Sequence, residues 1–125
     1  MILLIDAHAL LWWLEDDPAL TPSARAAIAD PANETLVSAA TIWEIEIKRA
    51  TGKLRAPSEL VQVIETAGLG ILPILGADAV IAGQLAVHHR DPFDRMVIAQ
   101  ASRLDAVIVT RDGAFQAYGA QILLA

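Results

Sequence analysis

The hydrophobic residues of this 125-residue chain fall into short runs that are separated by turn signals. Met1 to Ile5 is an uninterrupted apolar run, which is typical of a strand buried on both faces of a parallel sheet. Further strands are predicted over 35–38, 71–75, 106–109 and 121–124. Pro73 lies within the third of these strands, which favours a position at the edge of the sheet because proline cannot donate a ladder hydrogen bond.

Stretches with helical periodicity lie between the predicted strands. The pattern predicts helices over 8–15, 22–30, 40–50, 57–67, 78–88, 91–103 and 113–118. Thr21 before Pro22 is typical of a helix start. Because strands alternate with helices across short connections, the strands should be parallel and the helices should cover both faces. The predicted fold class is therefore α/β, a three-layer α/β/α sandwich with a central, mainly parallel sheet.

Composition supports this fold and narrows the class of protein. Hydrophobic residues make up 55 % of the chain and aromatic residues only 5 %, which favours an aliphatic interior over a β-sandwich. With no linker or repeat at this length, we expect one domain over residues 1–125. No apolar run is long enough to cross a bilayer, so no membrane partner is expected. The chain has no cysteine, which excludes thiolate metal sites and favours a cytoplasmic location.

The charge balance argues against one class of function. The formal net charge is −6, whereas a surface that coats nucleic acid is normally basic. On charge alone, the simplest explanation is solubility. The balance still leaves open a nucleic-acid substrate that is reached through bound metal and a few arginines.

Acidic residues follow several of the predicted strands. Asp6 comes directly after the first strand, Glu44 follows the second, and Asp112 follows the fourth, while Asp94 begins a helix. Because the carboxyl ends of parallel strands meet at one edge of a sheet, these side chains should share a crevice. Mg²⁺ and Mn²⁺ prefer such oxygen ligands. Two such ions about 4 Å apart can activate a water and stabilise the leaving oxygen in phosphodiester cleavage.

Most of these acids also have a purely structural explanation. Asp6 and Asp112 could cap the helices that follow them. Asp94 could simply favour the positive end of its helix. Asp91, which stands before Pro92, is best explained as a helix cap. Each acid alone can therefore be structural, while the four together favour a divalent-metal site.

For Glu44 the local pattern favours a structural role. Thr41 and Glu44 have the spacing of a capping box, and Glu44 and Lys48 have that of a surface ion pair. On a helical wheel Glu46 falls among apolar residues, so Glu46 is predicted to be the more buried of the two glutamates. Periodicity alone therefore does not select Glu44 as a site residue.

The histidines indicate no further chemistry. His8, His88 and His89 do not have the spacing of zinc ligands. At most, His88, His89, Arg90 or Arg95 could touch a substrate phosphate. No nucleophile elbow follows a strand, and the chain has no glycine-rich phosphate loop.

Four segments resemble the PIN-domain ribonucleases and, more narrowly, the VapC toxins of type II toxin–antitoxin pairs. They are Leu3–Leu14, Ser38–Lys48, His89–Ala101 and Val109–Asp112, in the same order and register over nearly the whole chain. The resemblance implies an endoribonuclease that depends on Mg²⁺ or Mn²⁺. It gives catalytic and metal-binding roles to Asp6, Glu44, Asp94 and Asp112, and it selects Glu44 over Glu46.

The resemblance also implies partners and a supporting residue. The partners are an RNA substrate and a cognate VapB-like antitoxin, in a homodimer or a toxin–antitoxin hetero-oligomer. Thr110 matches a hydroxyl residue beside the last acid, where it could donate a hydrogen bond to the site. Trp12, Trp13 and Trp43 could serve binding surfaces, although aromatic residues at helical spacing are more often part of the core.

Two other functions are compatible with acids at strand ends. One is a non-enzymatic binding module of the same fold, in which the acids are too weak to hold a metal. The other is a phosphoacceptor domain, which would need a lysine placed just after a distal strand. The only lysines are Lys48 and Lys53, and neither follows a predicted strand.

Overall fold

The computed structural model describes residues 1–88 and 90–125. The strands are β1 (Ile2–Ile5), β2 (Glu34–Ser38), β3 (Gly70–Leu72), β4 (Val107–Thr110) and β5 (Ile122–Leu124). The helices are α1 (Ala7–Leu14), α2 (Pro22–Ala29), α3 (Ala39–Ala50), α4 (Leu60–Thr66), α5 (Gly76–Gln84), α6 (Pro92–Leu104) and a 3₁₀ helix (Gly113–Tyr118). Within the described residues, every predicted strand and helix has a counterpart.

The five strands form one sheet in the order β3-β2-β1-β4-β5, and every neighbouring pair is parallel. The apolar run at the start of the chain is the central strand, with Leu3, Leu4 and Ile5 completely buried. β3 lies at an edge, as predicted, and Pro73 follows its last residue. The α/β prediction is confirmed, with a sheet that is parallel throughout.

Side chains of β1 alternate between two cores on opposite faces of the sheet. Leu3 and Ile5 pack in a core with residues of α1, α2, α3 and α4. Leu4 packs in a second core with residues of α6 and the 3₁₀ helix, such as Ile98 and Phe115. Helices therefore cover both faces, which gives the predicted three-layer sandwich.

Three predicted boundaries, in two helices, were wrong. α4 begins at Leu60 rather than Pro57, because Glu59 has a left-handed φ of 55° that a helix cannot contain. α5 begins at Gly76 and ends at Gln84, where Leu85 turns to an extended conformation. No helix in the part of the chain that the structure describes is long and apolar enough to cross a membrane.

Candidate metal centre

Asp6 stands at the carboxyl tip of the central strand and makes hydrogen bonds with both carboxylate oxygens. Its Oδ1 accepts from the Ala9 N–H at 3.0 Å and so caps α1, as one of the two sequence interpretations predicted. Its Oδ2 accepts from the hydroxyl of Thr110 on the neighbouring strand β4. Each carboxylate oxygen accepts one of these hydrogen bonds and retains a further lone pair, so the capping role does not exclude a ligand role.

Thr110 connects Asp6 with Asp112. The Thr110 side chain is completely buried, and its hydroxyl accepts from the Asp112 N–H at 3.0 Å while it donates to Asp6. Asp112 is exposed, and its Oδ1 caps the 3₁₀ helix by accepting from the Ala114 N–H at 2.9 Å. The predicted hydrogen-bonding role of Thr110 is confirmed, and Asp112 is confirmed as a cap.

Glu44 lies in the middle of α3 and is only 8 % exposed, whereas Glu46 is exposed. The prediction that Glu46 is the more buried was therefore wrong. The helical wheel placed the buried face on the side of Trp43, but that side chain is 62 % exposed. The face of α3 that meets the core instead carries Thr41 and Ile45.

The side chain of Glu44 pairs with Lys48 rather than capping the helix. α3 begins at Ala39 with Ser38 as its cap, so Glu44 is too far along the helix for a capping box with Thr41. The predicted ion pair does form, with 2.7 Å between Lys48 Nζ and Glu44 Oε2. Its carboxylate is buried, so the pair is not a surface pair as the spacing alone indicated.

Asp91 and Asp94 lie at the start of α6. Asp91 Oδ1 accepts from the Phe93 N–H at 2.9 Å and from the Asp94 N–H at 3.3 Å, which confirms Asp91 as the helix cap. Asp94 is partly buried in the first turn. The Phe93 ring meets the edge of Trp43 with 5.3 Å between ring centroids. This contact joins the start of α6 to the segment of α3 that carries Glu44.

Electrostatics connect these acids across the crevice. Burial raises the pKa of Asp6, hydrogen bonds from Thr110 and Ala9 and the charge of His8 oppose that shift, and the charge of Glu44 makes the smallest contribution in the raising direction. The ion pair with Glu44 raises the pKa of Lys48, and the charges of Asp91 and Asp94 contribute in the same direction. The charge of Glu44 therefore acts on Asp6, and the charges of Glu44 and Asp94 act on the Lys48 ammonium. Thr110 connects Asp112 to Asp6.

The chemistry of this donor set fits a hard divalent cation, because it consists of carboxylate oxygens with a hydroxyl behind one of them. Among residues 1–88 and 90–125, however, no three acidic or histidine side chains are close enough to hold an ion together. The Glu44 carboxylate contacts the Lys48 ammonium instead. A cation would therefore need these side chains to rearrange.

The structure gives the surroundings of three of the four basic residues that could touch a substrate phosphate. Arg95 donates to the carbonyl oxygens of Ala82 and Leu85, each at 2.8 Å, and so fastens the end of α5. The His88 ring meets the Tyr118 ring at 5.1 Å. His89 lies outside the described residues, and Arg90 is exposed.

The three tryptophans divide between core and surface. Trp12 and Trp13 are partly buried against the core that contains α1 and α2. The Arg111 guanidinium lies 4.3 Å from the centre of the Trp12 ring, a cation–π distance. Trp43 is largely exposed beside Glu44. Trp43 is therefore the tryptophan best placed to serve a binding surface.

Comparison with known proteins identifies the class of this fold and site. The PIN domain family model matches residues 3–121, so the chain belongs to the PIN domain family. No curated protein sequence is significantly similar to the chain.

Three solved structures of similar fold are of VapBC. VapBC2 from Rickettsia felis, bound to a DNA fragment from its promoter, has a TM-score of 0.72 and 14 % identity, with 98 % of both chains covered. DNA-bound VapBC from Salmonella typhimurium has a TM-score of 0.71 and 19 % identity over 98 % of this chain and 97 % of that one. VapBC-1 from nontypeable Haemophilus influenzae has a TM-score of 0.70 and 20 % identity over the same shares.

Proposed function

We propose that this protein is a Mg²⁺- or Mn²⁺-dependent endoribonuclease that acts as the toxin of a type II toxin–antitoxin pair. The observation that carries the proposal is the position of Asp6. It lies at the tip of the central strand, is coupled to Glu44 by charge, and is joined to Asp112 through the Thr110 hydroxyl. Membership of the PIN family and the likeness to VapBC structures support the same function.

In this proposal Asp6 and Asp94 are the principal metal ligands, and Glu44 and Asp112 complete the set directly or through waters. A divalent cation held by these carboxylates would lower the pKa of a water and would offset negative charge at the scissile phosphate. Thr110 and the Ala9 N–H fix the orientation of the Asp6 carboxylate. Burial makes the charge of Asp6 costly, and a cation in the crevice offsets that cost. The substrate is single-stranded or looped RNA.

The proposed partner is a VapB-like antitoxin that neutralises the same crevice. A basic segment of such a protein would complement the charges of Asp6, Glu44 and Asp94. Several solved structures of similar fold are of VapBC, which supports this choice of partner. We further propose that the protein acts in the cytoplasm as a homodimer or as a toxin–antitoxin hetero-oligomer.

The proposal is tested by expression with and without the adjacent open reading frame, followed by mapping of new RNA ends. We expect growth arrest that the neighbour relieves, and cuts that vanish in Asp94→Ala. A matched control is Glu46→Gln, which removes an exposed acid of α3 that pairs with Arg49. Cuts that persist in Asp94→Ala would contradict the nuclease assignment, and arrest that the neighbour does not relieve would contradict the toxin role.

One observation favours a second candidate, a binding module without catalysis. The described acids and histidines are not arranged in any group of three that could hold an ion. Calorimetric titration with Mn²⁺ separates the two functions, because the nuclease requires a saturable heat that Asp6→Asn and Asp94→Ala abolish. The phosphoacceptor alternative has no comparable support, since Lys48 lies in α3 and Lys53 follows that helix rather than a strand.

A further inference from the structure

The ion pair of Glu44 and Lys48 has a consequence for metal binding. We propose that Lys48 is a built-in counter-ion, which neutralises Glu44 in the metal-free protein and competes with the divalent cation for that carboxylate. The inference rests on the proposed metal site. It assigns Lys48 a positioning role, because the ammonium acts on a ligand rather than on substrate.

The contacts place the ammonium among the acids of the crevice. Lys48 Nζ lies 2.7 Å from Glu44 Oε2, on a carboxylate side chain that is 11 % exposed. The charges of Asp91 and Asp94 act on the same ammonium. Lys48 therefore contacts an acid of its own helix and is also within range of the negative charges at the start of α6.

The neighbouring pair on α3 shows what is particular about Lys48. Arg49 pairs with Glu46, whose side chain is 45 % exposed and lies outside the proposed ligand set. Both pairs stabilise one helix through neighbouring turns. Only the Lys48 pair engages a carboxylate that the proposed site requires.

An ammonium and a divalent cation held by the two oxygens of one carboxylate repel each other at short distance. Lys48 at Glu44 Oε2 therefore weakens the binding of an ion to Glu44, and binding of the ion favours movement of Lys48 away. Lysine suits such a movement, since its charge is compact and its four-carbon stem is flexible. The side chain of Lys48 is 38 % exposed, so its ammonium can move into water.

Two measurements on Lys48→Met test this inference. In calorimetric titrations with Mn²⁺ we expect the affinity to rise about tenfold, since a competing charge has been removed. In thermal unfolding with a chelator we expect the melting temperature to fall, because Glu44 and its acidic neighbours have lost their cation. If Lys48 merely supported the structure, both the affinity and the melting temperature would fall.

Three further variants make the result decisive. Lys48→Gln keeps a hydrogen bond to Glu44 without the charge, and it should repeat the gain in affinity with a smaller loss of stability. Lys48→Arg keeps the charge and should bind Mn²⁺ like the wild type. Arg49→Met is the matched control on the same helix and should leave the affinity unchanged. Equal or weaker binding in Lys48→Gln and Lys48→Met would overturn the inference.

Failure of the inference is distinguishable from failure of the proposed function. If the wild type shows no Mn²⁺ heat that depends on Asp6 and Asp94, the metal site itself is refuted and the role of Lys48 with it. If the wild type binds Mn²⁺ but removal of the Lys48 charge does not tighten binding, only the counter-ion role is refuted.

Discussion

Asp6 is half-buried and Asp78 is completely buried, and the surroundings of the two charges are opposite. Asp78 is completely buried, and Arg103 donates to both of its oxygens, with 2.5 Å from Nε to Oδ1 and 3.1 Å from Nη2 to Oδ2. This pairing lowers the pKa of Asp78. Asp6 has hydrogen bonds from Thr110 and Ala9, and burial raises its pKa. The fold supplies a cation for one carboxylate and leaves the other in need of one.

This difference follows from what each residue joins. Asp78 and Arg103 connect α5 to α6, and a two-pronged guanidinium contact fixes that packing permanently. Asp6 lies in the crevice at the end of the sheet, where a permanent partner would block a ligand. The raised pKa of Asp6 and the lowered pKa of Asp78 therefore distinguish a carboxylate without a cationic partner from one that has a permanent cationic partner.

The largest expected effect comes from Asp6→Asn. Loss of this ligand should reduce RNA cleavage in Mg²⁺ at least about 1,000-fold, which corresponds to about 4 kcal/mol of the activation barrier. The rate is measured on purified protein with a labelled single-stranded RNA. Glu46→Gln serves as the control, and cleavage by Asp6→Asn at the wild-type rate would disprove the mechanism.

Asp78→Asn should be the most damaging substitution for stability. It leaves Arg103 without its buried partner, so the free energy of unfolding at neutral pH should fall by about 2–3 kcal/mol. Asp6→Asn should leave the stability of the metal-free protein equal or higher. Urea unfolding in a chelator measures both variants.

A matched control for Asp78 is available at the surface. Asp16 pairs with Arg25, but its side chain is 90 % exposed. Asp16→Asn should therefore change the free energy of unfolding by less than about 1 kcal/mol. A loss in Asp16→Asn as large as that in Asp78→Asn would remove the distinction between the two kinds of pair.

Thr110→Val should weaken metal binding without abolishing it. The Thr110 hydroxyl orients Asp6, and loss of such a supporting hydrogen bond typically lowers metal affinity about 10- to 100-fold. Thr110→Ser should restore most of the affinity. Thr35→Val is the control, because within the described residues the Thr35 hydroxyl is buried without a hydrogen-bond partner. Equal affinities for Mn²⁺ in Thr110→Val and Thr35→Val would refute the supporting role.

The smallest expected effect is a difference in pH dependence. The folded pKa of Asp78 lies below the ordinary value of 3.8, so its contribution to stability is complete above that pH and is lost as the pH falls through the lowered pKa. The folded pKa of Asp6 lies above 3.8, so its charge destabilises the metal-free protein at neutral pH and this penalty disappears on acidification.

Denaturant unfolding of the two asparagine variants across pH separates these signs. The deficit of Asp78→Asn relative to wild type should shrink only in strong acid. Any advantage of Asp6→Asn should shrink as the pH falls through the raised pKa of Asp6, because the wild-type carboxyl becomes protonated there, above the pH at which the Asp78→Asn deficit shrinks. A deficit of Asp78→Asn and an advantage of Asp6→Asn that shrink over the same pH range would contradict the opposite pKa shifts.

The sequence predicted the fold because its apolar runs carry the whole signal for the sheet. β1 is buried on both faces, and this requires the uninterrupted run that precedes Asp6. The sharp change from apolar to acidic at Asp6 likewise marked the tip of the strand. The start of α4 was harder to predict, because Glu59 adopts a left-handed backbone conformation although it is not a glycine. The helix therefore begins after Glu59.

The candidate site was predicted less completely, because its contacts join distant parts of the chain. Periodicity gave the wrong burial for Glu44 and Glu46, since Trp43 turns away from the core to meet Phe93 on α6. The spacing of Glu44 and Lys48 did predict their ion pair. No local pattern could show that the charges of α6 also act on Lys48.

The strand order has a consequence for the timing of synthesis. β1 pairs with β4, where Leu3 is opposite Val107, so the central strand has both of its neighbours only after β4 has been synthesised. The hydroxyl that orients Asp6 belongs to Thr110, at the end of β4. A nascent polypeptide on the ribosome therefore carries its first acid long before the crevice can assemble. The topology therefore delays assembly of the crevice until β4 has been synthesised.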